Sequence, residues 1–252
     1  MQVIKDVPAW LLLREGLPSG RSLGFVPTMG ALHQGHISLL QRSRAENDVT
    51  LVSLFVNPTQ FNDPQDLKNY PRTFDSDAAM AAAAGADYVL APEYAALYPD
   101  GYRYRVVEND LSRGLCGASR PGHFDGVLTV VLKLLQLAGA DRAYFGEKDY
   151  QQYLLIKGLA EAFFLKTAII PCPTVREPDG LAMSSRNRLL SPGQRAMAPR
   201  FHQALADGGS VAQVEAALAQ AGFEVDYVEE RQGRRFGAVK LGKVRLIDNV
   251  PL

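Results

Sequence analysis

Cysteine is nearly absent: Cys116 and Cys172 are the only two, far apart and outside any Cys-x-x-Cys pattern. A disulfide framework or a zinc ribbon needs paired thiols at set spacings, so both classes are set aside. Charge of one sign is missing as well, since 27 Lys and Arg balance 27 Asp and Glu. A partner gripped through its phosphate backbone requires a clustered positive surface, which argues against nucleic acid. A small anion stays allowed, because a few local donors suffice for it. Long apolar runs are lacking too. Residues 127–137 are interrupted by Lys133 and Gln136, well short of the ~20 residues that span a bilayer. Lys5, Asp6, Arg14 and Glu15 surround the apolar residues 10–13, so no signal-peptide core is expected. The expected compartment is the cytoplasm, with no membrane partner and both thiols reduced and buried. What remains is an ordinary globular composition, 47% hydrophobic over 252 residues, enough for one large domain or two unequal ones.

Short β-branched runs alternate with helical patterns through the first two-thirds. Residues 23–27, 49–56, 88–90, 143–145 and 167–170 read as strands. The run at 49–56 is apolar enough to be covered on both faces. Val127, Val130, Val131, Leu134, Leu135 and Ala138 mark one face of a helix over 126–138, and the alanines at 78–84 suit another. This alternation predicts a doubly wound parallel sheet of Rossmann-like α/β type. The style changes after Pro171-Cys172-Pro173. Ser191, Pro192 and Gln194 form a helix start, Pro199 should kink or restart that helix, and Val211, Val214, Leu218 and Ala221 mark another. Strands follow at 223–228 and 244–247. We expect domains of 1–174 and 175–252, the second a small α+β lid.

Chemistry concentrates where strands end. After Pro27 comes Thr28-Met29-Gly30-Ala31-Leu32-His33-Gln34-Gly35-His36, with a helix beginning near Gly35. A turn feeding a helix start, at the carboxyl end of a first strand, is where open α/β sheets bind nucleotides. Free backbone N–H groups and the helix dipole favour phosphate there, and two imidazoles at i, i+3 can each donate to it. The helix start should also depress the pKa of His36. Two bland readings stay open: satisfied histidines without a role, or a metal pair that lacks further ligands nearby. Asn57-Pro58-Thr59-Gln60 could grip a hydroxyl and a carboxylate through uncharged amides, or be a plain turn. Gly146-Glu147-Lys148-Asp149 offers close backbone approach, a mobile cation and a carboxylate that could cap a helix, hold a ribose hydroxyl or meet Mg2+. It could equally be a solvated loop. Ser184-Ser185-Arg186 presents two hydroxyls and a guanidinium, fit for phosphate or for a surface turn. Arg120-Pro121-Gly122-His123 reads as structural, shaping a pocket or a subunit contact. Gly237 to Val244 nearly matches a phosphate loop, but Val244 stands where a hydroxyl is required.

The HxGH loop resembles that of the nucleotidylyl-transferase superfamily. The longer string PTMGALHxGH is similar to the pantothenate synthetase family in particular. FVNPTQF at 55–61, RPGHFDGV at 120–127, AYFGEKDYQQ at 143–152 and AMSSRN at 182–187 agree with that family, in order. The resemblance implies a ligase that condenses pantoate with β-alanine through a pantoyl-adenylate, releasing AMP and pyrophosphate. It implies ATP as substrate with Mg2+, no prosthetic group, and a homodimer. It assigns catalysis to His33, His36, Lys148 and Arg186. It assigns ATP contacts to these four and to Met29, Gly30, Gly146, Asp149, Val175, Met183, Ser184 and Ser185. Gln60 and Gln152 would hold pantoate, with Asn57 supporting and Gln60 serving β-alanine later. No side-chain metal site is expected beyond Asp149, since Mg2+ would ride on ATP. The carboxyl end looks shortened against the family pattern, because 226–236 runs almost directly into 246–249. Another HxGH adenylyltransferase, or a silent nucleotide-binding relative, is the alternative.

Overall fold

In the computed structural model, which describes residues 1–252, the apolar runs become strands of a six-stranded parallel sheet. Its members are β1 (Gln2–Ile4), β2 (Leu23–Thr28), β3 (Val49–Leu54), β4 (Tyr88–Leu90), β5 (Arg142–Gly146) and β6 (Ala168–Cys172). Their order is β1-β4-β3-β2-β5-β6. β3 is buried at every position, as its unbroken apolar run predicts. Side chains alternate between two cores. Phe25, Leu51, Leu90 and Phe145 face one, under helix His123–Ala138. Val26, Val52, Val89 and Tyr144 face the other, under helices Gln34–Glu46 and Phe74–Ala83. The sheet is therefore covered on both sides. The one strand not expected is β1, three residues that pair only with β4 at the sheet edge, too short to show a period.

Strand order decides where a ligand can enter. From β2 the chain steps to β3 and β4 on one side, then crosses back to β5 and β6 on the other. Crossovers diverge at β2 and β5, so a crevice opens beyond their carboxyl ends. Those ends carry the HxGH turn and the Gly146–Asp149 loop.

The carboxyl-terminal part has a separate core built from Leu181, Phe201, Leu205, Val214, Leu218, Val239 and Leu246. Three helices, Pro192–Met197, Pro199–Ala206 and Val211–Gln220, pack on an antiparallel sheet. The Ser191–Gln194 capping box forms, and Pro199 restarts the helix as expected. The sheet has three strands, β7 (Glu224–Arg231), β8 (Arg234–Leu241) and β9 (Val244–Pro251), where the sequence reading had two. β8 went unrecognised because Arg234, Arg235 and Gly237 disguise its alternation. Buried Arg235 is satisfied by Glu230 and by the carbonyls of Leu205 and Gly209. The residues after Phe236, where the carboxyl end looked short, continue β8 into the Gly242–Lys243 turn, and the phosphate-loop look-alike is the second half of that strand plus the turn. The two parts are joined by Asn249 of β9, whose amide donates to the carbonyls of Glu147 and Lys148 after β5 at 2.8 and 3.0 Å. No helix is long and apolar enough to cross a membrane.

Candidate active site

The turn after β2 spends its own backbone donors. Gly30 N–H donates to Thr28 Oγ1 at 3.2 Å, and the N–H groups of Ala31 and Leu32 each donate to Asp77 at 2.8 Å. His33 N–H donates to His36 Nδ1 at 3.3 Å, and Gly35 N–H to His33 Nδ1 at 3.1 Å. The expected backbone cradle is thus occupied from within at these positions. This occupancy fixes the imidazoles instead. A backbone N–H can only donate, so both Nδ1 atoms are acceptors, and each neutral ring carries its proton on Nε2. The rings lie 4.1 Å apart, centroid to centroid. Burial lowers the His33 pKa to about 3, helped by His36, Lys148 and Arg188 and opposed by Asp149. Burial likewise lowers His36 to about 4, with Asp149 opposing and Lys148 assisting. The direction for His36 is the one expected; the leading cause is burial rather than the helix start.

The turn after β3 is oriented by a chain of exclusions. Asn57 Nδ2 faces two acceptors, the Gly126 carbonyl at 3.2 Å and Gln60 Oε1 at 3.0 Å. Its Oδ1 accepts from Tyr98 and Thr59 hydroxyls at 2.9 and 3.0 Å. A reversed Asn57 would set oxygen against the Gly126 carbonyl, so the amide has one orientation. Gln60 must then direct its carbonyl to Asn57, leaving its NH2 as the end free for a ligand. The Gln60 main chain is braced too. Arg120 donates to His123 Nε2 at 3.1 Å, so His123 Nδ1–H donates to the Gln60 carbonyl at 2.8 Å. Arg120 Nη2 donates to that carbonyl at 3.2 Å. Burial and the Arg120 charge lower His123 to about 3, so it is a neutral clamp.

After β5, Gly146–Asp149 turns into helix Tyr150–Ala162. Asp149 takes the cap position but makes no side-chain cap bond; its carboxylate stands 3.7 Å from Lys148 Nζ. Asn249 of β9 donates to the carbonyls of Glu147 and Lys148 at 2.8 and 3.0 Å. Of the adjacent glutamines, Gln151 is buried and bonded to Cys116, Leu111 and Gly114, whereas Gln152 faces the cleft. Ser184 Oγ accepts the Arg186 N–H at 3.3 Å. The Arg186 guanidinium rests between Asp66, at 2.9 Å, and the Tyr70 ring.

These segments converge on one cleft. It is lined by Met29, His33, His36, Asn57, Gln60, Gly146, Lys148, Asp149, Gln152, Val175 and Met183 through Arg186. Of the residues assigned to catalysis, ATP or pantoate from the sequence, only Gly30 is absent from the lining; it turns at φ +80° against Asp77. The apolar floor comes from Val127, Val130, Val131 and Leu134 of the long helix. Sequence reasoning missed Asp77, Tyr98, Asn249 and Arg188, and gave Arg120 and His123 only a general structural role. A single chain offers no local signal for them, since each acts from another element. No group of three or more His, Cys, Asp or Glu side chains is placed to hold a metal ion.

Residues 2–251 match the family model described as pantoate-beta-alanine ligase. The pantothenate synthetase of Bdellovibrio bacteriovorus is 54% identical over 247 residues, covering 98% of this chain and 96% of that protein. That of Legionella pneumophila strain Corby is 51% identical, covering 99% of each. Among solved structures, the pantoate-beta-alanine ligase from Francisella tularensis, complexed with β,γ ATP and β-alanine, aligns with a TM-score of 0.95. It is 42% identical and the match covers 100% of this chain and 97% of that one. The pantothenate synthetase of Thermus thermophilus aligns with a TM-score of 0.91 at 41% identity, covering 100% of this chain and 99% of that one. With the fold, the ordered motifs and the full-length matches in agreement, the chain belongs to the pantoate-beta-alanine ligase family.

Proposed function

We propose that this cleft divides the family reaction, ATP-dependent condensation of pantoate with β-alanine, between the groups described above. In the first step a pantoate carboxylate oxygen bonds to the α-phosphorus of ATP while its bond to the bridging oxygen breaks and pyrophosphate leaves; Mg2+, where bound, would neutralise charge on that leaving group. In the second, the neutral amine of β-alanine attacks the pantoyl carbonyl; AMP leaves, an amide forms and the nitrogen loses a proton. The Nε2–H groups of His33 and His36 donate hydrogen bonds to phosphate oxygens, both rings staying neutral and His36 being the principal donor. Lys148, Arg186, Ser184 and Ser185 meet the leaving pyrophosphate. Met29, Gly146, Val175 and Met183 border the nucleotide, while Asp149 holds a ribose hydroxyl or Mg2+. Gly30 acts by shaping the turn. Gln60 and Gln152 hold pantoate, with the Gln60 NH2 aimed at its oxygens, and Gln60 serves β-alanine afterwards.

Convergence supports this reading: two imidazoles from the β2 turn and the Ser184–Arg186 segment border the same cleft. The division at residue 174 assigns the carboxyl-terminal part to a lid whose closure shields the mixed anhydride from water. A homodimer accords with the shallow apolar groove that includes half-exposed Val107 and Phe163.

The test is ATP–pyrophosphate exchange. It should require pantoate, not a phosphorylated acceptor, and AMP release should require β-alanine. Exchange with a phosphorylated acceptor would favour another adenylyltransferase, and no turnover a silent relative. His36→Ala should lower exchange about a hundredfold while pantoate binding, measured by calorimetry, changes little. Equal losses would remove the proposed role.

A further inference from the structure

Asp77 lies on helix Phe74–Ala83, outside every motif read from the sequence, and its carboxylate is almost completely buried. It accepts the Ala31 N–H on Oδ2 and the Leu32 N–H on Oδ1, both at 2.8 Å, and the Thr73 hydroxyl on Oδ2 at 3.0 Å. No Lys, Arg or His forms an ion pair with it. A buried carboxylate without a cation is costly, and such a group persists where charge-assisted hydrogen bonds replace its water. Here the replacement comes from the turn that carries the imidazoles.

That turn needs holding. Gly30 and Ala31 are consecutive residues in the left-handed region, φ +80° and +50°, and Ala31 carries a side chain that disfavours it. Successive N–H groups in such a bend converge into a concavity that binds an anion. Asp77 fills it from within the protein. Two residues later His33 becomes the helix cap, and its Nδ1 is fixed by Gly35.

We propose that Asp77 is a positioning residue for adenylation: it clamps the left-handed bend that places His33, and through it His36, over the cleft. It touches neither substrate nor the reacting atoms. The inference rests on the two-step reading above, and the clamp serves the step that uses the imidazole pair. Attack by the amine on a preformed adenylate does not depend on it to the same degree.

The decisive variant is Asp77→Asn. An amide has one oxygen, so it can retain one N–H while presenting its own NH2 to the other, and the bend must open. Pantoate-dependent ATP–pyrophosphate exchange should fall about tenfold to a hundredfold in kcat, in line with misplacement of about an ångström. The KM for pantoate, and the rate of β-alanine attack on supplied pantoyl-adenylate, should stay within about threefold of wild type. Nitrogen-15 NMR should show the single Nε2–H tautomer of His33 and His36 giving way to a mixture. Exchange unchanged in Asp77→Asn would overturn the proposal, and so would equal losses in both half-reactions, which mark a merely structural residue. If Asp77→Asn does not fold, Thr73→Val decides by removing one of the three bonds. Its exchange should fall about threefold with amine attack unaffected; unchanged exchange counts against the clamp. A wild type without exchange would sink the reaction reading alone, leaving the tautomer measurement to judge Asp77.

Discussion

His33 and His36 suit an accumulating negative charge because their acceptor nitrogens are already taken. With Nδ1 committed to backbone N–H groups, each ring has one donor left and no reason to compete for a proton. Gly35 makes this possible: a Cβ there would meet His33 Cε1 at 2.8 Å and Nδ1 at 2.9 Å. Gly35→Ala should therefore swing the imidazole away and lower adenylation about tenfold or more, with a melting temperature close to wild type. A full-rate variant would show that the contact is relieved without moving the ring. Gln60 gives a second residue-level test. Asp in place of Asn57 could not donate to Gln60 Oε1, so the Gln60 amide should turn over and offer its carbonyl to pantoate. Asn57→Asp should raise the pantoate KM about tenfold while the ATP KM moves less than threefold. Parallel rises in both would mean that the variant disturbs the whole cleft.

At the scale of elements, the long helix and the turn after β3 touch backbone to backbone. A Cβ on Gly126 would run into the Thr59 carbonyl and the main chain of Gln60. Rigid backbone on both sides leaves no flexible side chain to give way. Gly126→Ala should cost about 1–3 kcal/mol of stability, read by denaturant unfolding, and should also weaken pantoate binding. A stable variant with normal affinity would contradict the close packing. The motif around this glycine was visible in the sequence, yet its purpose was not, because the partner lies more than sixty residues away in the chain. Gly30 illustrates the opposite case. Its place in a nucleotide-binding turn suggested contact with ligand, and the structure sets it at φ +80° against Asp77, outside the residues that line the cleft.

Over the whole molecule, three histidines in and behind the cleft wall share a linkage to pH. Their folded pKa values, about 3 for His33, about 4 for His36 and about 3 for His123, lie below the ordinary 6.5. An unfolded chain therefore binds more protons than the native one between roughly pH 3 and 6.5, and stability rises with pH across that window. It is complete above the unfolded value and lost on acidification. The melting temperature should fall at least ~5 °C between pH 7 and pH 5, and His123→Asn should flatten the slope. A level profile would mean that these rings already carry charge. The join between the two sheets is testable as well. Asn249 holds the carbonyls of Glu147 and Lys148, so Asn249→Ala should loosen the lysine loop and reduce turnover several-fold without altering either core. Unimpaired kinetics would show that the loop holds its shape alone.

Local sequence determined much of this protein. Apolar periodicity marked five of the six parallel strands, proline and serine marked the helix starts, and ordered motifs marked the cleft. Those signals live within a few residues, where spacing translates directly into geometry. β1 and β8 escaped, one too short to show a period and the other masked by arginines that find partners only after folding. Tertiary structure alone decided which donors face a ligand. Whether a turn N–H is free and which way an amide points depend on groups such as Asp77, Tyr98 and Gly126. These arrive from distant segments, and hydrogen bonding, unlike hydrophobic periodicity, leaves no mark along the chain until both partners meet.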